Sequence, residues 1–249
     1  MTNQPISVLI LGATSGIAQA TARIYAAERA VIGLAGRNQA KLETVAADLR
    51  TRGASRVDTF LIDFCVAEAF NELPKMVTAL GKVDHILHAY GVLGDQVAAE
   101  QDATEAKAII ETNFSSAAVW VLASAHALSQ SGRGSLVVLG SVAGDRGRKG
   151  NYIYGASKAG LATLVEGVSH RFGNAGPRAV IVKPGPTDTA MTADMAKGGP
   201  LWAKPEVVAT IVRKAADRGP VVVYAPRRWR FIMAVIRSIP TTVFNKLNF

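Results

Sequence analysis

Short apolar runs alternate with longer amphipathic stretches along most of the chain. Ile6 to Leu11, Val31 to Ala35, Val57 to Ile62, Val83 to Ala89, Ser135 to Leu139, Ala179 to Val182 and Val221 to Tyr224 have strand length and are rich in Val, Ile and Leu. Between them lie helical stretches: an Ala-rich one reaching about Glu28, then Gln39 to Arg52, Ala67 to Leu80, Glu100 to Leu128, Asn151 to Phe172 and Pro205 to Asp217. Pro74 is a candidate kink in the third. Repeated strand–helix alternation predicts an α/β chain. Its sheet is a Rossmann-like, doubly wound, parallel sheet of seven strands with helices on both faces. Ligands of such sheets bind beyond the carboxyl ends of the strands.

After Tyr224 the pattern changes. The stretch from Pro226 to Pro240 is bounded by prolines and mixes Trp229, Phe231, Ile232, Met233, Val235, Ile236 and Ile239 with Arg227, Arg228, Arg230 and Arg237. The expected organisation is a sheet domain over 1–225, including a loop at 186–204, and a basic, amphipathic, helical tail over 226–249. With no repeat and no low-complexity linker, a second folded domain is not expected.

Composition adjusts this picture in two places. The net charge is +9, and after Asp217 there is no acidic residue, while Arg218, the four tail arginines and Lys246 are basic. An aromatic and basic helix of this kind suits an anionic lipid surface, where each basic residue adds about 1 kcal/mol. It equally suits packing on its own subunit with the arginines outward. No basic–aromatic groove lies elsewhere, so no nucleic-acid partner is expected. The single cysteine, Cys65, excludes an internal disulfide and is expected near the core; no metal site is expected. The first residues show no basic, then apolar, leader. With no run of about eighteen apolar residues, no helix is expected to span a bilayer. A reducing, cytoplasmic setting follows, at the inner face of the membrane if the tail binds lipid.

The chemistry sits at strand ends. Gly12-Ala-Thr-Ser-Gly16-Ile-Ala18 joins the first strand to the first helix, the context a pyrophosphate cradle needs. The second strand ends in Gly36-Arg37-Asn38, with no acid to accept a ribose 2′-hydroxyl and an arginine suited to a 2′-phosphate. NADP(H) is therefore preferred, and NAD(H) stays open. Asp63 ends the third strand, where an adenine edge would lie. Asn113, inside the long helix, is either a helix-face residue or a core residue needing partners. Tyr154 and Lys158 stand one helical turn apart, so a fixed ammonium could lower the phenol pKa toward neutrality.

Gly12-x-x-x-Gly16-Ile, Asp63, Asn113, Ser141, Tyr154-x-x-x-Lys158 and Pro184-Gly185 with Thr189 together resemble the short-chain dehydrogenase/reductase family over essentially the whole chain. Ser141 lies 13 positions before Tyr154, as in that family. The resemblance implies an enzyme that exchanges hydride between a nicotinamide cofactor and an alcohol or ketone. Tyr154 would be the general acid. Lys158 would lower its pKa and hold the nicotinamide ribose. Ser141 would bond the carbonyl oxygen, and Asn113 would anchor a water leading to Lys158. Cofactor contacts fall on Gly12, Thr14, Ser15, Gly16, Ile17, Arg37, Asp63, Gly91, Tyr154, Lys158, Pro184, Gly185, Thr187 and Thr189. Family members usually form homodimers or homotetramers through the helices holding Asn113 and Tyr154.

One departure is informative. His88-Ala89-Tyr90-Gly91 replaces the usual Asn-Asn-Ala-Gly, and no catalytic role is expected for His88. Ala89-Tyr-Gly-Val-Leu-Gly-Asp95, Gly144-Asp-Arg-Gly-Arg148 and the tail from Val223 resemble one branch, the decaprenylphosphoryl-2-keto-ribose reductases. That branch implies a 2-keto sugar carried on a polyprenyl phosphate. The alternatives are a reductase of a small soluble or acyl-linked ketone, and a cofactor-binding regulator without turnover.

Overall fold

The computed structural model describes residues 5–195 and 197–247. The expected leader-free start, one position of the 186–204 loop and the last two tail residues fall partly outside them. Strands β1 (Ser7–Leu11), β2 (Val31–Gly36), β3 (Arg56–Leu61), β4 (His85–His88), β5 (Ser135–Leu139), β6 (Arg178–Pro184) and β7 (Val222–Ala225) form one sheet in the order β3-β2-β1-β4-β5-β6-β7. Every neighbouring pair is parallel. The predicted doubly wound sheet is therefore present. The winding reverses between β1 and β4, so their carboxyl ends open the crevice where such sheets hold ligands.

The five inner strands are buried on both sides because their side chains alternate between two cores, while the edge strands β3 and β7 stay half-exposed. Val8 and Ile10 join one core with α1 (Gly16–Ala27), α2 (Gln39–Thr51) and α8 (Pro205–Asp217). Leu9 and Leu11 join the other with α3 (Ala69–Leu80), α6 (Ser116–Ser131) and α7 (Tyr152–Phe172). Each side chain so enclosed adds about 1.5–3 kcal/mol. Local signals set the helix starts. Ser15 and Asn38 cap α1 and α2, accepting from the Ala18 and Lys41 amides, and Pro205 opens α8.

The long helix expected from Glu100 to Leu128 is instead broken. It becomes α4 (Gln96–Gln101), α5 (Ala103–Ile110), a π turn (Glu111–Ser115) and α6. Asp102 is the cause of the first break: its backbone is extended and its carboxylate accepts from the Thr104 amide, capping a new helix. The π turn centres on Asn113, whose side chain is pulled toward Val92. By length and composition Ala103–Ser131 would pass for a membrane span, contrary to expectation. Half of it is buried, because Ile109, Trp120, Val121 and Leu128 lie in the protein interior. Cys65 also departs from expectation. It is exposed, because the Asp63 carboxylate accepts from its amide and turns the chain outward after β3.

The tail forms α9 (Trp229–Ser238) and α10 (Thr241–Phe244). Trp229, Ile232, Met233 and Ile236 pack inward on Val142 and Tyr224. The opposite face is mixed: Phe231 is 75% exposed and Val235 63%, among the exposed Arg227, Arg230 and Arg237.

Candidate active site

The chain after β1 makes a sharp turn at Gly12, whose φ is +84°. A Cβ there would lie 2.5 Å from the Tyr90 backbone nitrogen, so only glycine allows this approach. Thr14, Ser15, Gly16 and Ile17 then lead into α1, whose first turn has no acidic residue. An N-terminus of that kind, with free backbone N–H groups and its positive dipole end, accepts a pyrophosphate. Thr189 leans over the same helix start: a Cβ on Gly16 would lie 3.0 Å from its Cγ2. The residues present thus fit a dinucleotide. Arg37 is exposed at the end of β2 and has no ion pair among the described residues. Asp63 is exposed at the end of β3.

The second half of the site is built on α7. Ser141 precedes a short 3₁₀ turn (Val142–Asp145) and its hydroxyl accepts from the Ala143 amide. This turn docks tightly on α7: a Cβ on Gly144 would lie 2.8 Å from the Ala159 nitrogen. Ser141 is thereby held beside the first turn of α7, where a Cβ on Gly155, next to Tyr154, would lie 2.8 Å from the Ala143 carbonyl oxygen. Lys158 is buried and donates to the Leu139 carbonyl at 3.2 Å. Asn113 is fully buried; its Oδ1 accepts from the Val92 amide at 2.8 Å and its Nδ2 donates to the Val92 carbonyl at 2.7 Å. Gly91 lies between Asn113 and Lys158. Of the two readings of Asn113, the core residue with partners is the one observed.

Burial dominates the electrostatics of the Tyr154–Lys158 pair. Burial raises the Tyr154 phenol above its ordinary pKa, while Ser141 and the Arg148 guanidinium pull it down. Lys158 stands one helical turn further on. Its ammonium lies 5.9 Å from the ring centroid and is turned to Leu139. Burial also lowers Lys158 itself, to about 8, so it remains mostly charged at neutral pH. His88 is fully buried against Tyr90, and neither ring nitrogen has a hydrogen-bond partner among the described residues. Burial holds it down at about 3, in the neutral form.

Pro184 and Gly185 end β6 on the opposite wall. Thr187 donates to the Gly185 carbonyl at 2.9 Å, and Thr189 forms a reciprocal cap with Thr192. Trp229 of α9 lies directly on Gly185, so a side chain at 185 would displace it. Beneath this wall, Asp145 accepts from Lys183 at 2.6 Å and from the Tyr224 hydroxyl at 2.7 Å. The sequence placed Trp229 on the apolar side of the tail and Asp145 and Arg148 in the Gly144–Arg148 segment, but gave none of them, nor Lys183 or Tyr224, a part in the site. Only Arg148 carried a signal, its place in a glycine-flanked turn just before Tyr154.

The structure therefore gathers Gly12, Thr14, Ser15, Gly16, Ile17, Thr189 and Gly91 on one side of the crevice, with Ser141, Tyr154, Lys158 and Asn113 beside them. A sequence profile of short chain dehydrogenases matches residues 7–199. The chain belongs to the short-chain dehydrogenase family. It is an NAD(P)-dependent oxidoreductase. Among relatives, an uncharacterized oxidoreductase of Streptomyces coelicolor is 35% identical over 245 residues, covering 98% of this chain and 96% of its own. One of Mycobacterium tuberculosis is 36% identical over 241 residues, covering 96% of each. A solved short chain dehydrogenase/reductase family protein superposes with a TM-score of 0.76 at 28% identity, over 90% of this chain and 97% of its own. Two more distant structures share the fold. One is a Shigella flexneri short chain dehydrogenase complexed with NADP (TM-score 0.79, 23% identity, 89% and 97% covered). The other is a Mycobacterium paratuberculosis enzyme bound to NAD (0.77, 21%, 90% and 97%).

Proposed function

We propose that this oxidoreductase reduces a ketone to an alcohol with NADPH, and that the ketone is a 2-keto sugar linked through phosphate to a polyprenyl lipid. The observation that carries the chemical half is the docking of the turn after Ser141 on α7, beside Tyr154 and buried Lys158, at the mouth of the Gly12–Gly16 cradle. Tyr154 passes its phenolic proton to the carbonyl oxygen, and the Ser141 hydroxyl donates to that same oxygen as charge builds there. Lys158 holds the nicotinamide ribose and keeps positive charge below the phenol. Asn113 clamps the Val92 backbone, so the segment carrying Gly91 keeps its place beside Lys158. Thr14, Ser15, Gly16 and Ile17 take the pyrophosphate, Asp63 the adenine side, and Pro184, Gly185, Thr187 and Thr189 the nicotinamide side. Bound NADPH supplies the hydride.

Arg37 supports NADPH over NADH, because a guanidinium bonds a 2′-phosphate in two places and no carboxylate competes for it. Arg37→Ala is expected to weaken NADPH roughly tenfold or more and to leave NADH unchanged, as read by fluorescence titration of the reduced cofactors. Equal loss for both would remove the argument.

The lipid half rests on the outward face of α9, where Phe231 and Val235 lie among arginines. It is joined to the 186–204 loop by Arg228, which donates to the Trp202 carbonyl, and that loop exposes Met191, Met195 and Leu201. A lipid-linked sugar could reach Tyr154 while its chain stayed in the bilayer. This reading places the enzyme at the inner, cytoplasmic face of a membrane. The double change Phe231→Asp and Val235→Asp is expected to abolish co-sedimentation with phosphatidylglycerol vesicles without lowering the melting temperature. If the unmodified protein ignores such vesicles, the lipid half is wrong. The deciding assay for substrate is NADPH-dependent reduction of a polyprenyl-phosphoryl 2-keto pentose against small soluble ketones; equal kcat/KM would favour a soluble substrate. A homodimer or homotetramer is proposed through α6 and α7, where Val119 and Leu122 are exposed.

A further inference from the structure

Arg148 stands in the turn between Ser141 and α7, half-buried, with its Nε buried and lacking any hydrogen-bond partner among the described residues. No carboxylate lies within ion-pair distance of it there, although eleven such contacts occur elsewhere. The acids of the flanking segments are already engaged. Asp145 holds Lys183 and Tyr224, Asp95 caps α4, and Glu100 faces Gln96 and Tyr152. A buried guanidinium Nε–H without an acceptor is costly, and a ligand that accepts from it removes that cost. Arg148 stands in the turn that leads from Ser141 directly into the first turn of α7, which carries Tyr154, and its positive charge favours the phenolate there. Whatever anion it meets therefore lies near the reacting carbonyl.

We infer that Arg148 binds an anionic phosphate group of the substrate, adjacent to the carbonyl that Tyr154 serves. This deepens the reading above and rests on it for the identity of the reaction. A planar guanidinium offers two parallel N–H donors to two phosphate oxygens, a geometry that a lysine cannot copy. The phosphate could belong to a lipid-linked diester or to a soluble monoester, and the chemistry at Arg148 is shared by both.

The test uses enzyme saturated with NADP⁺, so that the cofactor's own phosphate contacts are filled. Dimethyl phosphate and glycerol phosphate serve as probes and are titrated calorimetrically. Binding of at least one probe is expected, weakened roughly ten- to hundredfold by Arg148→Gln and partly restored in Arg148→Lys. Preference for dimethyl phosphate points to a diester; preference for glycerol phosphate points to a soluble monoester. Absence of binding to the unmodified enzyme, or equal binding to Arg148→Gln, overturns the assignment. A second arm compares reduction of dihydroxyacetone phosphate with that of dihydroxyacetone. The variant is expected to lose kcat/KM on the phosphorylated ketone alone. Equal loss on both, with a shifted pH profile, would assign Arg148 to the Tyr154 phenol instead and overturn the inference. Should phosphate binding persist while no ketone is reduced, the proposed reaction fails and the Arg148 assignment stands.

Discussion

Tyr154→Phe is expected to lower kcat for ketone reduction by roughly 10²–10⁴-fold, the usual worth of a positioned general acid. The change removes one oxygen and leaves the ring on α7, so folding should barely register it. NADPH oxidation reports the rate, and cofactor titration separates chemistry from binding, since Lys158 and the Gly12 cradle remain. Unchanged turnover would remove Tyr154 from the reaction and leave Ser141 and Lys158 as ordinary buried residues of a cofactor-binding protein.

Asp145→Ala is expected to destabilise the fold by about 3–5 kcal/mol, because it leaves the Lys183 ammonium buried without its partner. The Asp145 side chain is 1% exposed and that of Lys183 10%, so water cannot replace the lost contact. The Tyr224 hydroxyl loses its acceptor at the same time; that carboxylate is one reason the phenol stands at about 12, after burial. Urea denaturation measures the loss. Adding Lys183→Met should recover much of it by removing the unpaired charge, and failure to recover would mean the pair is not what holds this corner. The trio joins the turn after Ser141 to β6 and β7, so kcat should fall in the single variant even where it is folded.

Much of the site could be read before any fold was known, for reasons of local spacing. Gly12 and Gly16 lie between a strand and a helix, and that order alone makes a phosphate cradle. Tyr154 and Lys158 share a helix face whatever surrounds them. What spacing did not reveal was the direction of their interaction. Lys158 turns to the Leu139 carbonyl, and burial moves the phenol upward rather than down. Nor could it reveal that Asn113 opens a π turn in the long helix, since its partner is the distant Val92 backbone, whereas the Asp102 cap that makes the first break is a local signal, its donor only two residues on.

The sequence by itself determined the seven strands, their alternation with helices, the dinucleotide cradle and the Tyr154–Lys158 pair. Each of these follows from hydrophobic periodicity or from residues within one or two turns of each other. The tertiary structure alone decided that Trp229 lies on Gly185, that Asp145 joins Lys183 and Tyr224, and that Arg148 stands near Tyr154 without a counter-charge. Most of those contacts join segments far apart in the chain, and all depend on which charges are buried and which acids are already taken, quantities that a linear pattern does not contain.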